Sequence, residues 1–242
     1  PDGRIVSGPR DQTIRIWTKG ADGEWISEVL SGHEALLYSF QALPDGRIVS
    51  AAWDQTIRIW TKDGDGQWSS EVISGRGDSV LCLQVLPDGR IVSGLDDRTV
   101  RIWTKGADGE WSAEVLSGHE GFVYCLQALP DGTIVSGCDD RTIRTWTKGD
   151  DGAWRSEVLN GHYAWIACLH VVPDGRIVSG SSDKAIRIWT KGADREWSSE
   201  VITGHGDSVL CLQVLPDGRI FSGSSDGTIR IWDGEEISGG AS

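Results

Sequence analysis

Short stretches of alternating apolar and polar residues recur along the chain at a fixed interval. The tetrapeptide Pro-Asp-Gly-Arg begins at residues 1, 44, 87, 173 and 216, and Pro-Asp-Gly-Thr begins at residue 130. Each start lies 43 residues after the one before it, without any insertion. Such an interval indicates one array of equivalent structural units. We therefore expect residues 1–242 to form a single domain without internal linkers.

One unit, residues 87–129, shows which elements each copy is expected to form. Pro87-Asp88-Gly89 predicts a turn, because proline fixes φ and glycine accepts a positive φ. Polar turns, the first at residues 94–98, separate stretches rich in β-branched and aromatic residues, and no stretch has helical periodicity. The predicted strands are Arg90–Ser93, Thr99–Trp103, Trp111–Leu116 and Val123–Ala128.

Four short antiparallel strands in each unit suit a radial ring of sheets, because a lone sheet of four strands leaves both of its faces uncovered. The sequence therefore predicts an all-β fold, a β-propeller of about six four-stranded antiparallel blades. The chain starts beyond the position of a blade's innermost strand, so we expect the first blade to lack its inner strand. Residues 233–237 are a candidate for a short fourth strand in the last blade.

A Gly-His pair, an Asp in the turn and a Trp closing the following strand recur in most units. The pair occurs at Gly32-His33, Gly118-His119, Gly161-His162 and Gly204-His205. This pattern resembles the WD-repeat (WD40) β-propeller family, in its highly repetitive form. Trp-Asp itself stands only at Trp232-Asp233, and the other copies read Trp-Thr. The resemblance implies a propeller, often of seven blades, that binds proteins.

The resemblance also implies a structural hydrogen-bond network of one His, Ser, Asp and Trp inside a blade. Hydrolase triads use Ser, His and Asp as well, but several equivalent copies favour scaffolding, and no nucleophile motif accompanies them. We therefore expect no enzyme and no catalytic residue. In the third unit Arg76 replaces the His, which predicts the weakest blade. The predicted network residues are His33, Ser50, Asp54, Trp60, His119, Ser136, Asp140, Trp146, His162, Ser179, Asp183, Trp189, His205, Ser222, Asp226 and Trp232.

The net charge of −13 changes the set of expected partners. Such a field repels nucleic acid and favours a protein or peptide of basic character. The sequence has no apolar run of membrane-spanning length, so we expect no membrane partner.

Cysteine spacing argues against disulfides and against a metal centre. Cys82, Cys125, Cys168 and Cys211 recur every 43 residues, so they occupy equivalent places in different units. Residues so placed are too far apart for a disulfide or for a shared zinc ion. We expect small core residues, reduced thiols and a cytoplasmic location. No cofactor motif is present, and no metal site is predicted.

Two further motifs are better explained by turns. Arg76-Gly77-Asp78 has the form of an integrin-binding tripeptide, but one His-to-Arg change within a repeat is enough to create it. Asp63-Gly64-Asp65-Gly66 has too few carboxylates for a calcium loop and predicts a tight polar turn instead.

The copies differ mainly in two loops, the stretch after Gly-His and the residues before the turn Asp. In the WD40 family both loops emerge on one face of the ring, the top. Large aromatic residues there are typical of binding hot spots, and acids beside them can hold a cationic group. The predicted partner-binding residues are Arg10, Glu34, Leu36, Trp53, Asp96, Glu120, Phe122, Asp139, Tyr163 and Trp165.

These observations leave two hypotheses open. The first is a non-catalytic scaffold or recognition propeller that binds a protein or peptide through its top-face loops, as part of a larger receptor or signalling protein. The alternative is a structural module that assembles into an oligomer, with another chain completing the incomplete blade.

Overall fold

The computed structural model describes residues 3–8, 12–74, 77–129 and 131–233. These residues form strands and no helix. The strands lie in six antiparallel sheets, each of which is a propeller blade. The chain divides into two compact units, Pro1–Asp97 with Arg101–Glu114, and Arg98–Val100 with Val115–Ser242. The single domain predicted for residues 1–242 stays a prediction.

The first unit holds blades one and two and most of blade three. Their strands are β1 (Ile5–Ser7), β2 (Ile14–Lys19) and β3 (Trp25–Leu30); β4 (Leu37–Ala42), β5 (Ile48–Ala52), β6 (Thr56–Lys62) and β7 (Trp68–Ser74); and β8 (Val80–Val85), β9 (Ile91–Leu95), β10 (Val100–Lys105) and β11 (Trp111–Leu116).

The second unit holds blades four to six. Their strands are β12 (Val123–Ala128), β13 (Ile134–Cys138), β14 (Ile143–Lys148) and β15 (Trp154–Leu159); β16 (Ile166–Val171), β17 (Ile177–Ser181), β18 (Ile186–Lys191) and β19 (Trp197–Ile202); and β20 (Val209–Val214), β21 (Ile220–Ser224) and β22 (Ile229–Trp232).

The predicted fold class is confirmed, including the short first blade. Blades two to five have four strands, and blades one and six have three in the part of the chain that is described. From residue 3 onward, blade one has no counterpart of β4, the strand that opens blade two. Of the candidate fourth strand at residues 233–237, residues 234–237 lie outside the described residues.

Successive side chains of a strand point to opposite faces of the sheet, and this gives each blade two different apolar faces. At the junction of blades five and six, Val178, Ile186 and Ile188 pack against Ile220 and Trp232. We call the first set the aliphatic face. It is formed by a Val of the second strand of a blade and by Ile residues of the third strand of the same blade. The second set is the tryptophan face, formed by an Ile of the second strand and the Trp that closes the third.

The same pair of faces meets at four junctions. Blade one packs on blade two, two on three, four on five and five on six, each time aliphatic face against tryptophan face. Burying one such side chain completely stabilises the fold by about 1.5–3 kcal/mol. The repeated junctions therefore supply the hydrophobic core of each unit.

The predicted turn at residues 94–98 starts too early. Gly94 and Leu95 belong to β9, and the next strand continues to Lys105. The equivalent Gly180 explains why a glycine lies in a strand, because a Cβ there would be 2.6 Å from Val209 Cγ1 of the next blade. This glycine permits the close approach of two blades and does not form a turn.

Replacing Gly180 by Ala is expected to destabilise the protein by about 1–3 kcal/mol, because the added methyl group overpacks the junction of blades five and six. The measurement is the midpoint of thermal or urea unfolding. Gly223→Ala is the matched control, since its Cβ would approach only Cys211 Sγ, at 2.8 Å. Equal losses in the two variants would contradict this explanation.

Candidate functional site

The His, Ser, Asp and Trp of blade five form one connected hydrogen-bond network. Trp189 Nε1–H donates to Ser179 Oγ at 2.8 Å, and Ser179 Oγ lies 2.8 Å from His162 Nε2. His162 Nδ1 lies 2.7 Å from the carboxylate of Asp183. Because the serine oxygen accepts from tryptophan, its own proton is available to Nε2, which leaves Nδ1–H to donate to Asp183.

The same four side chains are joined in blades two, four and six. The imidazole Nε2 to serine Oγ distance is 2.7 Å in all three. The imidazole Nδ1 to carboxylate distances are 2.8 Å from His33, 2.9 Å from His119 and 3.2 Å from His205. In each blade the tryptophan Nε1–H also donates to the serine hydroxyl at 2.8 Å.

Burial and hydrogen bonding set the protonation of this network. Burial lowers the pKa of His33 and of His162, because a charged imidazole is poorly solvated there. Burial would raise the pKa of Asp183, but hydrogen bonds from the Tyr163 backbone N–H and from His162 outweigh it and lower that pKa. The pair is thus a neutral imidazole beside a carboxylate.

The burial and the hydrogen-bond partners of the network serine suit a structural role. Ser50, Ser136 and Ser179 have no exposed surface. A hydrolytic nucleophile needs room for a substrate carbonyl beside its oxygen, whereas here tryptophan and imidazole occupy both sides of the hydroxyl. The arrangement can hold two loops and two strands together.

Blade three uses a different ionic group at this place. Arg101 Nη2 lies 2.8 Å from Asp78, and it also binds the turn residue Asp97. Trp103 still donates to Ser93 Oγ at 2.8 Å. Arg76, which replaces the His, lies outside the described residues, and the lower stability expected for this blade stays a prediction.

The network brings the two variable loops of a blade to the same end of that blade. In blade two, the backbone N–H of Glu34, just after the His, donates to the turn residue Asp54 at 2.9 Å. The backbone N–H before each turn Asp also donates to a carbonyl of the loop after Gly-His. These pairs are Trp53 to Leu36, Asp96 to Ser79, Asp139 to Phe122, Ser182 to Trp165 and Ser225 to Ser208, at 2.9–3.1 Å.

In the first unit the predicted site residues form a small group. Trp53 is 53% exposed, and its ring packs edge-on against Tyr38 with 6.1 Å between ring centroids. Leu36 is half-buried and Glu34 is exposed. Asp96 is engaged within its own blade, because it accepts the Ser79 backbone N–H at 2.8 Å. Arg10 lies outside the described residues.

In the second unit the predicted residues Phe122 and Trp165 form a larger aromatic cluster with Tyr124, and Tyr163 lies two residues before Trp165 in the same loop. The ring of Tyr124 contacts Phe122 at 6.3 Å and Trp165 at 5.0 Å between centroids. Phe122 and Trp165 are exposed, and Tyr163 is 81% exposed. We call Phe122, Tyr124, Tyr163 and Trp165 the aromatic cluster. Sequence analysis missed Tyr124, which lies in the first strand of its blade and not in a loop.

Charged residues line a cleft beside Phe122. Glu120, Asp139 and Asp140 lie there, but Arg98 and Arg141 line the same cleft. Arg141 has a φ of 70°, a left-handed conformation that follows the turn Asp. The cleft therefore carries charge of both signs.

The cysteines are free, but they are not all core residues. Cys82 is buried, Cys125 and Cys168 are half-buried, and Cys211 is exposed. The prediction of a small core residue is therefore wrong at Cys211, because no described blade covers that side of β20. Burial raises the pKa of the Cys82 and Cys168 thiols to about 12.

One group of side chains has the composition of a metal site. The ligand atoms of His119, Cys138 and Asp140 lie within 4.8 Å of one another. Both ring nitrogens of His119 already have partners, Asp140 and Ser136. Burial raises the pKa of the Cys138 thiol, whereas metal binding requires a thiolate. His119 and Asp140 bind each other in the network of blade four, and Cys138 Sγ donates to Asp139 Oδ1 and accepts from the Asp140 backbone N–H.

The fold and the repeated network define a β-propeller repeat protein. Residues 24–61, 67–104, 111–147, 155–190 and 197–233 match the WD40 family, described as WD domain, G-beta repeat. The chain therefore belongs to the WD40 family, whose members generally act as non-catalytic scaffolds for protein interactions. No curated protein matches the chain. Among the described residues, no helix long and apolar enough to cross a membrane occurs.

Replacing His162 by Gln is expected to make stability less dependent on pH. The folded pKa of His162 is lowered, so below about pH 6.5 the unfolded chain binds a proton that the folded chain does not. The free energy of unfolding of the parent protein should therefore fall as the pH drops below that value. His162→Gln removes this contribution and costs about 1–3 kcal/mol at neutral pH through unsatisfied buried groups.

The measurement is urea unfolding from about pH 8 to about pH 5. Tyr163→Ala is the control, because it changes an exposed neighbour and should keep the parent slope. The explanation fails if the slope of His162→Gln equals that of the parent protein.

Proposed function

We propose that this protein is a non-catalytic scaffold that binds a protein or peptide through the loops after Gly-His and before the turn Asp. The observation that carries the proposal is the aromatic cluster of the second unit, in which Phe122, Tyr163 and Trp165 are exposed together. Exposed neighbouring aromatic rings are costly in water and are typical of binding surfaces.

Backbone hydrogen bonds and ring packing hold the aromatic cluster in place, which favours binding. Phe122 and Trp165 accept backbone hydrogen bonds at 3.1 and 3.0 Å from the facing loops of their own blades. Their rings also pack on Tyr124 between them. Side chains that are already ordered lose little entropy on binding, so more of the contact energy contributes to affinity.

Charge indicates the chemistry of the partner. The net charge of −13 favours a basic protein or peptide. Within the cleft, Arg98 and Arg141 oppose a cation, so we expect the cationic group of the partner to lie beside Glu120 and its apolar anchors to lie on the aromatic cluster. The group of Trp53 and Tyr38 in the first unit is proposed as a second, separate contact.

Two broader elements of the proposal concern context. The free cysteines suit a reducing compartment, so we propose a cytoplasmic location. We also propose that the propeller is the recognition part of a larger receptor or signalling protein. The alternative proposal is a structural module that assembles into an oligomer with other chains.

Replacing Phe122, Tyr163 and Trp165 together by Ala is expected to remove most binding. Loss of one hot-spot side chain costs about 2 kcal/mol, or about a thirtyfold weaker Kd. The measurement is affinity capture with the 242-residue chain, followed by titration of captured partners and of peptides that place Lys or Arg beside aromatic residues.

The matched control is Val158→Ala with Val201→Ala, which changes exposed apolar residues on fourth strands of the same unit. It should leave the captured proteins unchanged. An unchanged set of partners for the triple variant, with circular dichroism showing that it is folded, would rule out the aromatic cluster as the site.

A further inference from the structure

Two departures from the repeat occur in blade four, and both line the same groove. Thr133 stands where the other copies have Arg, and Thr145 stands where they have Ile. Both line a groove of about 380 Å³ between the Pro-Asp-Gly turns of blades four and five, inside the second unit. Since β13 runs from such a turn to the turn Asp, the groove lies at the opposite end of that strand from the loops of the proposed peptide site.

The replacement of Arg by Thr leaves one carboxylate without its cation. In other blades the Arg binds the Asp of its own Pro-Asp-Gly turn, as when Arg47 Nη2 and Nε lie 2.7 and 2.8 Å from the Asp45 carboxylate. Blade four keeps this turn, because the Thr133 backbone N–H donates to Asp131 at 2.9 Å. Within the described residues, no cation binds Asp131. An exposed carboxylate therefore remains at the edge of the groove.

The replacement of Ile by Thr puts a hydroxyl into an apolar wall. Thr145 is 6% exposed, about as little as its counterpart Ile188 in blade five, at 4%. Its hydroxyl has no hydrogen-bond partner among the described residues, and the side chain lines the groove next to Val135. A buried hydroxyl without a partner is costly, so a polar group that reached it through the groove would be stabilised.

The other charged residues of the groove are paired with each other. Arg176 Nε donates to Asp174 at 2.8 Å, and Lys191 Nζ donates to Glu157 at 2.7–2.8 Å. Asp131 is thus the one charge in the groove that no described residue neutralises. The groove therefore favours a ligand with a positive charge.

The corresponding groove between blades one and two shows which cation this space accepts. An arginine, Arg4, lines that groove at the place of Thr133, together with Val6 at the place of Val135. Aliphatic neighbours suit the methylene stem of an arginine, whose charged head stays near the turn. The chain itself thus places an alkylguanidinium group in the equivalent space.

We propose that the groove between blades four and five binds an alkylguanidinium group, the end of an arginine side chain, supplied by another molecule. The cation pairs with Asp131, and the stem lies against Val135 and Ile177, which line the groove. A guanidinium has five N–H donors, which suits a groove that offers a carboxylate and the unpaired hydroxyl of Thr145. The group comes from an arginine of a partner protein or from a free guanidino compound. This inference does not depend on the peptide-binding proposal.

The first test is an NMR titration of the 242-residue chain with butylguanidinium, a probe without a peptide backbone. We expect saturable shifts of the Thr133 and Val135 amides and of the Trp197 indole N–H, which line the groove. Asp131→Asn should weaken binding about tenfold or more, because a charge-assisted hydrogen bond is lost. No saturable shift at these residues, or equal binding to Asp131→Asn and the parent protein, would overturn the proposal.

Two variants restore the residues of the other copies and are therefore expected to fold. Thr133→Arg supplies the missing guanidinium from the chain itself and should abolish binding of the probe. Thr145→Ile removes the hydroxyl and fills the wall, so binding should weaken severalfold. Thr203→Ser is the matched control, because it restores a repeat residue outside the groove and should bind like the parent. Binding to Thr133→Arg that equals binding to the parent would contradict the proposal.

A blocked tripeptide, acetyl-Gly-Arg-Gly-amide, separates the two sources of the guanidinium. Binding of the tripeptide at the same residues supports the proposal with a partner protein as the source. Binding of butylguanidinium without binding of the tripeptide supports it with a free guanidino compound as the source. The Phe122, Tyr163 and Trp165 triple variant should bind the probe like the parent, so the peptide-binding proposal and this one fail independently.

Discussion

The structure depends on one packing constraint, the contact of an aliphatic face with a tryptophan face. A lone sheet of four short strands leaves both of its apolar faces exposed to water, so each blade is stable only when it packs against a neighbour. In blade five the glycine near the end of the second strand permits a close approach of blade six, as the 2.6 Å distance at Gly180 shows, whereas blade two has Ala51 at the equivalent position. Position-for-position identity between copies follows from this constraint, because every copy must present the same two surfaces.

The hydrogen-bond network is a second layer built on that packing. In blades two, four, five and six, a buried serine links the closing tryptophan to a histidine, and the histidine links to the turn aspartate. The aspartate also fixes the loop after the histidine through a backbone N–H. Since side chains repeated in these blades hold both loop ends, the intervening residues can differ between copies. Phe122, Tyr163 and Trp165 occupy such positions.

The sequence was sufficient for the repeat, the strand count and the family, because each rests on local pattern and strict spacing. The residues of the network were implied by the resemblance to the WD40 family, and the structure joins them in four blades. Features that depend on contacts between distant residues could not be predicted from the sequence pattern. Gly94 was assigned to a turn although it lies in β9, because glycine is a common turn residue in local pattern. Tyr124 was missed because its ring meets Phe122 and Trp165 only in three dimensions. The exposure of Cys211 likewise follows from the absence of a described blade beside β20.

Every 43-residue copy carries both halves of the junction on its own surface. Gene duplication within such an array adds a new blade together with a ready interface on each side, so no new contact has to evolve. Unequal recombination between copies can lengthen or shorten the array while every junction stays the same. Selection can then act on the loops alone. Blades with different recognition residues can be exchanged between arrays because their junction surfaces are the same.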